Sequence, residues 1–433
     1  MCLCVSVGFL HAAGAQEAAP ARRTGSVVTA LGLGHGGARA VAVQGDGRIV
    51  AAGPQGNGRK HEFGVVRYTT DGRLDTTFNG RGFVTISLGE VDDVVGGLGI
   101  QPDGKIVVGG TSNPKGVSQP GFRPHVFSLV RYTTDGQLDA GFGDGGKVFT
   151  PVTKNEMAFA SALVIQPDGK IVVAGQALTD HRWPLPMSRY DFAVARYLPD
   201  GRLDPTFGRH GVAVAALSST SEDAVGALVL QPDGKILVAG QTHGRYQADI
   251  GMLRLNADGT RDRGFGSDGQ VVTRWKDGSH ASGVAVQGDG KILLVGGGMD
   301  EKKSYGRLVR YRADGGPDSG FGEGGVLKTT MGHRAIAVQP DGKVVAAGSS
   351  PTGIAIFRYL PDGRLDPDFG SGGIAAARVG PGRATTEALA LQGDGKIVAA
   401  GSSEAGGLRA FTIIRYNFDG SLDTTFGDPA RSR

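Results

Sequence analysis

The stretch Gln-Pro-Asp-Gly-Lys-Ile-Leu-Val-Ala-Gly at residues 231–240 decides the fold, because its pattern recurs along the whole chain. A first motif of Gln, any residue, Asp, Gly and a basic residue begins at Gln44, Gln101, Gln166, Gln231, Gln287, Gln339 and Gln392. A second motif, Arg-(Tyr)-x-x-Asp-Gly-x-x-Asp-x-x-Phe, begins at Arg67, Arg131, Arg196, Arg254, Arg310, Arg358 and Arg415. The two motifs alternate strictly, so the chain contains seven copies of one structural unit.

Each copy contains four short apolar runs that are separated by turn residues. One run precedes the first motif, one follows it, a third leads into the Arg-Tyr pair, and a fourth follows a glycine after the Phe. The Pro-Asp-Gly sequence suits a type I turn whose glycine takes a left-handed conformation and closes a hairpin. The runs therefore predict four antiparallel strands, named A to D in chain order.

Seven four-stranded antiparallel units predict an all-β fold, a seven-bladed β-propeller. The last copy has no D strand of its own, whereas residues 25–30 resemble a D strand and precede the first A strand. We expect this N-terminal strand to complete the last blade and close the ring, in one domain spanning residues 25–433. The alternative is a β-solenoid or an array of separate hairpins, neither of which needs a closing strand.

Both motifs resemble the delta-60 repeat family, whose units read roughly QPDGKIVVAG and, further on, ARYNADGSLDTTFG. Gln231 to Gly240 and Asp419 to Gly427 carry the resemblance, which extends over residues 25–427. Copy four departs from it with Leu255 and Arg261, and copy five with Pro317. The resemblance implies a β-propeller found mostly in bacterial, often exported proteins, with no common activity and no catalytic residues to carry over.

Residues 1–15 are uncharged and end in Ala13-Gly14-Ala15, a pattern that a signal peptidase accepts. We predict a signal peptide here, followed by a linker at residues 16–24, and a secreted, cell-surface or periplasmic protein. A merely apolar terminus is the alternative. Cys2 and Cys4, the two cysteines of the chain, both lie in this segment, so the mature chain is expected to contain no disulfide.

The composition excludes several classes of protein. Glycine accounts for 75 of 433 residues but lacks the every-third-residue register of collagen, and 39 % hydrophobic residues argue against disorder. Lys and Arg exceed Asp and Glu by 46 − 42 = 4 charges, which are dispersed along the chain, so no nucleic-acid partner is expected. No run after the terminus approaches the length of a membrane-spanning helix, so no membrane span is expected.

The repeated polar residues are expected to be structural. Asp71 and Asp75 could suggest calcium, but each loop offers too few oxygen ligands, and we expect both carboxylates to bind backbone N–H groups in turns. We expect Arg67 and its equivalents to hydrogen-bond neighbouring loops, and Phe78 and its equivalents to pack between blades. A group that is repeated seven times is a poor candidate for a single catalytic centre.

The candidate site lies where the repeat symmetry breaks. The two motifs begin 23 residues apart in copies one, four, five and seven but 30 apart in copies two and three, where the B–C loops are longer. In a propeller the B–C and D–A loops share one face, and binding residues concentrate in such loops. The candidate binding residues are Phe122, Arg123, His125, His181, Arg182, Trp183 and Tyr190, with Glu90, Asp92 and Asp223 from D–A loops. Tolerated insertions without function are the alternative.

These observations favour an exported, monomeric, non-enzymatic binding or scaffold module whose partner is a protein or a glycan. No catalytic motif, metal site or cofactor site is recognised in the sequence. The first alternative is a propeller enzyme, a hydrolase or lyase that acts on a glycan or cell-wall polymer at an axial site. The second is a purely structural surface protein.

Overall fold

The computed structural model describes residues 23–429 except 33, 58–59, 115–123, 155, 182–187, 219–221, 244–247, 276–277, 301–302, 351–352, 381 and 406. The predicted signal peptide and residues 16–22 of the predicted linker lie outside the described residues. Within the described residues, no helix is long and apolar enough to cross a membrane.

The described residues form β-strands joined by turns and loops. In chain order the strands are β1 (Ser26–Thr29), β2 (His35–Gly36), β3 (Ala40–Val43), β4 (Ile49–Gly56), β5 (His61–Tyr68), β6 (Phe83–Ile86), β7 (Val94–Ile100), β8 (Ile106–Ser112), β9 (Val126–Tyr132), β10 (Lys147–Thr150), β11 (Ala158–Ile165), β12 (Ile171–His181), β13 (Ser188–Tyr197), β14 (Val212–Ala215), β15 (Asp223–Leu230), β16 (Ile236–His243), β17 (Ala248–Leu255), β18 (Gln270–Thr273), β19 (His280–Val286), β20 (Ile292–Asp300), β21 (Lys303–Tyr311), β22 (Val326–Thr329), β23 (His333–Val338), β24 (Val344–Ser350), β25 (Gly353–Tyr359), β26 (Ile374–Ala377), β27 (Ala384–Leu391), β28 (Ile397–Ala405) and β29 (Leu408–Tyr416).

These strands form seven antiparallel sheets, each of which is a blade with strands in the order A, B, C, D. Blade 1 contains β3 to β6, and blades 2 to 6 contain successive groups of four up to β26. Blade 7 contains β27, β28, β29 and β1. The short strand β2 pairs with the end of β4 as an addition to blade 1. The predicted seven-bladed β-propeller is confirmed.

The ring is closed by the N-terminal strand, as the sequence predicts. In β1, Val27 pairs with Ile413 and Val28 with Thr412, both in β29. The A strands contact one another from β3 through β7, β11, β15, β19, β23 and β27, and β27 in turn contacts β3. A complete circle of this kind excludes the solenoid and the separate hairpins.

The A–B turns adopt the predicted hairpin geometry. In the turn at Gln231, the Gln231 N–H donates to the Lys235 carbonyl at 2.8 Å, and the Gly234 N–H donates to the Gln231 carbonyl at 2.9 Å. Gly234 has φ +82°, the left-handed region in which a side chain would be strained. The short polar turn thus sets the register between strands A and B.

A buried arginine joins each blade to the next one. The Arg that opens the second motif is 1–8 % exposed, and its Nε lies 2.7–2.9 Å from the carboxylate of the Asp eight residues later. Its Nη1 donates to a backbone carbonyl in the C–D turn of the following blade. In blade 7, Arg415 reaches the Thr70 carbonyl of blade 1 at 2.6 Å, which extends the chain of contacts around the ring. The arginines therefore hold neighbouring loops as expected.

The Asp of this pair also shapes its own turn. Asp75 Oδ1 accepts hydrogen bonds from the Thr77 N–H at 3.1 Å and the Thr77 hydroxyl at 2.6 Å. Burial by itself would raise the pKa of Asp75, but the Thr77 hydroxyl and the Arg67 guanidinium lower it below the ordinary value. The carboxylate is therefore ionised and is engaged in turn structure, in agreement with the structural role that the sequence suggested.

The Phe that ends each second motif packs between two blades. The seven Phe rings are fully buried, and the arginine of the same blade lies 4.3–4.8 Å from each ring centroid. The other side of the Phe78 ring faces Gly136 of blade 2, where an added Cβ would lie 2.6 Å from a ring carbon. The Asp-Gly glycine is therefore required both for its positive φ and for this close approach.

We expect Arg358→Ala to lower the free energy of unfolding by about 3 kcal/mol, because among the described residues it leaves the buried Asp366 carboxylate paired with Lys343 alone. It also removes the hydrogen bond to the Phe418 carbonyl of blade 7. Urea unfolding monitored by fluorescence measures the loss. Arg364→Ala is the matched control, since Arg364 is 78 % exposed and pairs with an exposed Asp362. Equal unfolding midpoints for the two variants would contradict the role of Arg358 between blades.

Candidate functional site

The two repeated motifs lie on the same face of the disc. The Lys of the A–B turn reaches the Asp of the C–D turn in its own blade, with Lys343 Nζ 3.0 Å from Asp366 Oδ2 and Lys105 Nζ 3.1 Å from Asp139 Oδ2. We call this surface the turn face. The D–A and B–C loops lie at the other ends of the same strands and form the loop face, which carries the described candidates Glu90, Asp92 and His125.

Six of the seven A strands contain a bulge near the loop face. In β23 the pairing with β24 shifts between His333 and Ala335, so that Arg334 is the extra residue. The same shift occurs in the A strands of blades 2, 3, 4, 5 and 7, and in blade 1 Arg39 precedes Ala40 as Arg334 precedes Ala335. The axial ring is the set of these seven equivalent residues: Arg39, Gly96, Ser161, Gly226, Ser282, Arg334 and Glu387.

All seven residues of the axial ring line one funnel with a volume of about 520 Å³. Val94, Phe159 and His280, each two residues before the bulge residue of its own blade, also line this funnel. The innermost strands therefore present different side chains to one axial space. The side chains that line the funnel therefore differ from blade to blade, whereas the strands that carry them repeat.

An aromatic row extends from the funnel to the longer loops of blades 2 and 3. The Phe159 ring lies 5.2 Å from the His125 ring and 6.0 Å from the Tyr190 ring, measured between centroids. His125 lies at the base of the blade 2 B–C loop, where its backbone N–H donates to the Glu156 carbonyl at 2.8 Å. We define the aromatic row as His125, Phe159 and Tyr190. It combines two candidates from the sequence with a residue of strand A.

The charged part of the axial ring lies in blades 6, 7 and 1. Arg334 Nη1 is 3.8 Å from Glu387 Oε2, a weak ion pair in which 62 % of the Arg334 side chain is exposed. Arg39 makes no side-chain hydrogen bond or ion pair with the described residues. Its guanidinium is therefore available to a ligand.

His280 is the histidine of the funnel. Burial and, to a smaller extent, the Arg334 cation lower the pKa of His280 from its ordinary value. Its imidazole is consequently neutral at neutral pH and can donate and accept a hydrogen bond. In the part of the chain that the structure describes, no three His, Asp or Glu side chains are grouped closely enough to hold a metal ion.

The sequence suggested five further candidate binding residues in the B–C loops. Phe122, Arg123, Arg182 and Trp183 lie outside the described residues. His181 ends β12, where it pairs with Ser188 of β13. Among the candidates that the structure describes, it therefore brings His125 and Tyr190 together through Phe159.

The acidic candidates have separate roles. Glu90 is exposed in the D–A loop before blade 2, and Asp92 Oδ1 accepts a hydrogen bond from the His61 N–H at 2.8 Å. Asp223 is 1 % exposed and its Oδ2 accepts the Leu217 N–H at 2.9 Å. The Asp223 carboxylate thus holds a D–A loop in place and is not exposed at the rim of the funnel.

Sequence reasoning missed Arg39, Phe159, Arg334 and Glu387. The sequence does contain a signal for Arg39, Arg334 and Glu387. Every residue of the axial ring stands five positions before the Gln that opens a first motif. A comparison of the seven copies at this position reads Arg, Gly, Ser, Gly, Ser, Arg and Glu. The charge of the side chain at this position therefore varies from copy to copy, whereas the residues around it keep the repeat pattern.

The loop that carries Glu90 and Asp92 is anchored by a buried carboxylate. Asp93 is fully buried, its Oδ2 accepts the Leu88 N–H at 2.8 Å, and burial raises its pKa to about 6. Because the folded-state pKa lies above the unfolded value, the fold favours the protonated form. This contribution to stability is present at low pH and is lost as the pH rises through about 6.

We therefore expect Asp93→Asn to raise the free energy of unfolding at pH 8 by up to about 3 kcal/mol, since one pKa unit corresponds to about 1.4 kcal/mol. The Asn side-chain oxygen keeps the hydrogen bond to the Leu88 N–H without a buried charge. Near pH 4 the variant and the wild type should differ little. Thermal unfolding of both proteins at the two pH values measures this, with the exposed Asp92→Asn as control. A gain of the same size at both pH values would disprove the assignment.

The chain is similar in fold to solved β-propellers. It is 12 % identical to polysaccharide lyase Uly1 over 88 % of this chain and 90 % of that chain, with a TM-score of 0.51. A catalytically inactive virginiamycin B lyase from Staphylococcus aureus, solved with quinupristin, is 12 % identical over 90 % and 98 % of the chains, with a TM-score of 0.49. Sqt1 from Chaetomium thermophilum, bound to the N-terminus of a ribosomal protein, is 10 % identical over 89 % and 97 %, with a TM-score of 0.41. At 12 % identity the likeness to Uly1 shows the fold alone.

No curated protein matches the chain. Seven segments match a family model described as Domain of unknown function (DUF5122) beta-propeller, at residues 44–78, 101–142, 166–207, 231–265, 287–321, 339–369 and 392–426. Each segment runs from the Gln of a first motif to the Phe of the following second motif, and together the segments cover more than half of the chain. The family is a β-propeller repeat family, as the resemblance implied. The chain belongs to the Domain of unknown function (DUF5122) beta-propeller family.

Proposed function

We propose that this propeller is an exported, non-enzymatic binding module that holds a glycan on its loop face. The ligand enters the axial funnel and extends along the aromatic row toward the longer loops of blades 2 and 3. The turn face serves the fold, because its repeated Arg, Asp and Phe side chains are engaged in contacts within and between blades. The loop face carries the residues that differ from blade to blade.

The observation that carries the proposal is the axial ring. Seven equivalent positions of the repeat, six of them bulge residues, contain two guanidiniums, one carboxylate, two hydroxyl groups and two glycines. Structural demands that repeat seven times would select similar residues at these positions, as they do at the Phe of the second motif. A funnel of about 520 Å³ with such a mixed lining has the size and the few polar groups of a small-ligand site.

A glycan suits this surface better than a folded protein partner. Aromatic side chains offer flat apolar faces to sugar rings, and Phe159 and Tyr190 are both partly exposed. The side-chain amides of Gln176 and Gln241 line the funnel and make no hydrogen bond with the described residues. These amides can donate to and accept from sugar hydroxyl groups.

The second candidate is an enzyme that acts on a glycan at the same axial site. It is favoured by His280, whose lowered pKa leaves a neutral imidazole capable of accepting a proton, and by Glu387 in the same funnel. The two candidates share a ligand and differ in whether a bond of the glycan is broken. Incubation with each glycan that binds, followed by chromatography of the products, distinguishes them.

We expect Ser161→Trp and Ser282→Trp to weaken glycan binding at least about tenfold, because each indole fills part of the axial funnel. A glycan microarray identifies the glycans that bind, and calorimetry with the best of them measures affinity. Shortening the B–C loops within residues 115–123 and 182–187 should weaken the same binding. The matched control is Ser371→Trp, an exposed position in a C–D turn on the turn face. Unchanged affinity in both funnel variants would refute the proposed site, and product formation would favour the enzyme.

A further inference from the structure

The funnel has an excess of positive charge on one side. Arg334 is paired with Glu387 at 3.8 Å, whereas Arg39 has no partner among the described residues. A second cavity of about 170 Å³ shares Arg39 and Glu387 with the funnel and is also lined by Arg409. The linings of the two cavities together include three guanidiniums and one carboxylate, on blades 6, 7 and 1.

Phe159 of the aromatic row lies across the axis from the blade 6 and blade 7 part of this charge. In a closed ring of seven blades, blade 3 stands opposite blades 6 and 7, so Phe159 faces the sector that contains Arg334 and Glu387. The axial ring residues of blades 2 to 5 are small, namely Gly96, Ser161, Gly226 and Ser282. A ligand can therefore reach from the aromatic wall to the arginines without meeting a large side chain of the axial ring.

Guanidinium groups discriminate strongly among ligands. Arg presents planar paired donors that match the two oxygens of a carboxylate, and such charged hydrogen bonds are stronger than neutral ones. Arg39 is exposed at the funnel and has no counter-charge among the described residues, so an anionic ligand forms an ion pair there that a neutral ligand cannot form. The free amides of Gln176 and Gln241, by contrast, suit the hydroxyl groups of a sugar.

We infer that the glycan held by this funnel is acidic. A uronic acid carboxylate of this glycan is bound by Arg39 and by Arg334, the arginine that is paired with Glu387. The sugar ring next to this carboxylate lies over Phe159, and its hydroxyl groups bind the amides of Gln176 and Gln241. The inference rests on the proposed function and adds to it the charge and chemical class of the ligand.

The test compares glycans that differ only in whether their uronic acid carboxylates are present. Oligomers of galacturonate, of alginate and of hyaluronan are titrated calorimetrically against the full chain, each beside its carboxyl-reduced counterpart. We expect at least one acidic oligomer to bind roughly tenfold to a hundredfold more tightly than its reduced form, the range for loss of a charged hydrogen bond. Added NaCl should weaken the acidic binding and leave the reduced form unaffected.

Two variants test whether Arg39 causes the preference for the acidic oligomer. Arg39→Gln should reduce the preference for the acidic oligomer by a similar factor while leaving the affinity for the reduced form unchanged. Arg73→Gln, which alters a 71 % exposed arginine on the turn face, should change neither. Unfolding curves of both variants verify that the fold is retained.

The outcomes separate the inference from the proposed function. Equal binding of acidic and reduced oligomers, both lost in Ser161→Trp, would overturn the carboxylate and leave the funnel as the site. Tighter binding of a sulfated oligomer than of any uronate would overturn the carboxylate as the recognised group. Failure of every saccharide to bind would overturn both the inference and the proposed function.

Discussion

The ion pair between the buried arginine of strand C and the aspartate eight residues later is the contact on which the ring depends. Arg358 is 1 % exposed, its Nε lies 2.7 Å from Asp366, and its guanidinium also reaches the Phe418 carbonyl of the next blade. A charge in such a place is tolerated because it is paired with a carboxylate and donates to a backbone carbonyl, and each partner would be costly to leave alone. The same contact occurs in all seven blades, so each blade orients the next.

This arrangement divides the two faces of the disc by function. The turn face is occupied by repeated residues whose hydrogen bonds and ring contacts hold neighbouring blades together. On the loop face, the bulge residues of six A strands and the equivalent Arg39 of blade 1 line the axial funnel. Variation among those residues therefore changes the lining of the funnel while leaving the contacts between blades intact.

Most of the fold could be predicted from the sequence, whereas the candidate site could be predicted in part. Turn chemistry and strand periodicity are local, so the hairpins, the blades and the closing strand follow from them. His125 and Tyr190 were identified because insertions are visible in a repeat. The pairing of Arg67 with Asp75 was missed, although both recur at a constant separation, because turn propensities describe the backbone and not the path of a long side chain.

The sequence by itself determined the number of blades, the strand order and the faces on which the motifs lie, since each depends on residues close together in one repeat. Only the tertiary structure decided that Arg39 and Glu387, 348 residues apart, line one funnel with Phe159. That convergence depends on the bulge register and on the angle between blades. Both arise from packing between distant segments, so no single repeat contains the information that places its axial residue beside the others.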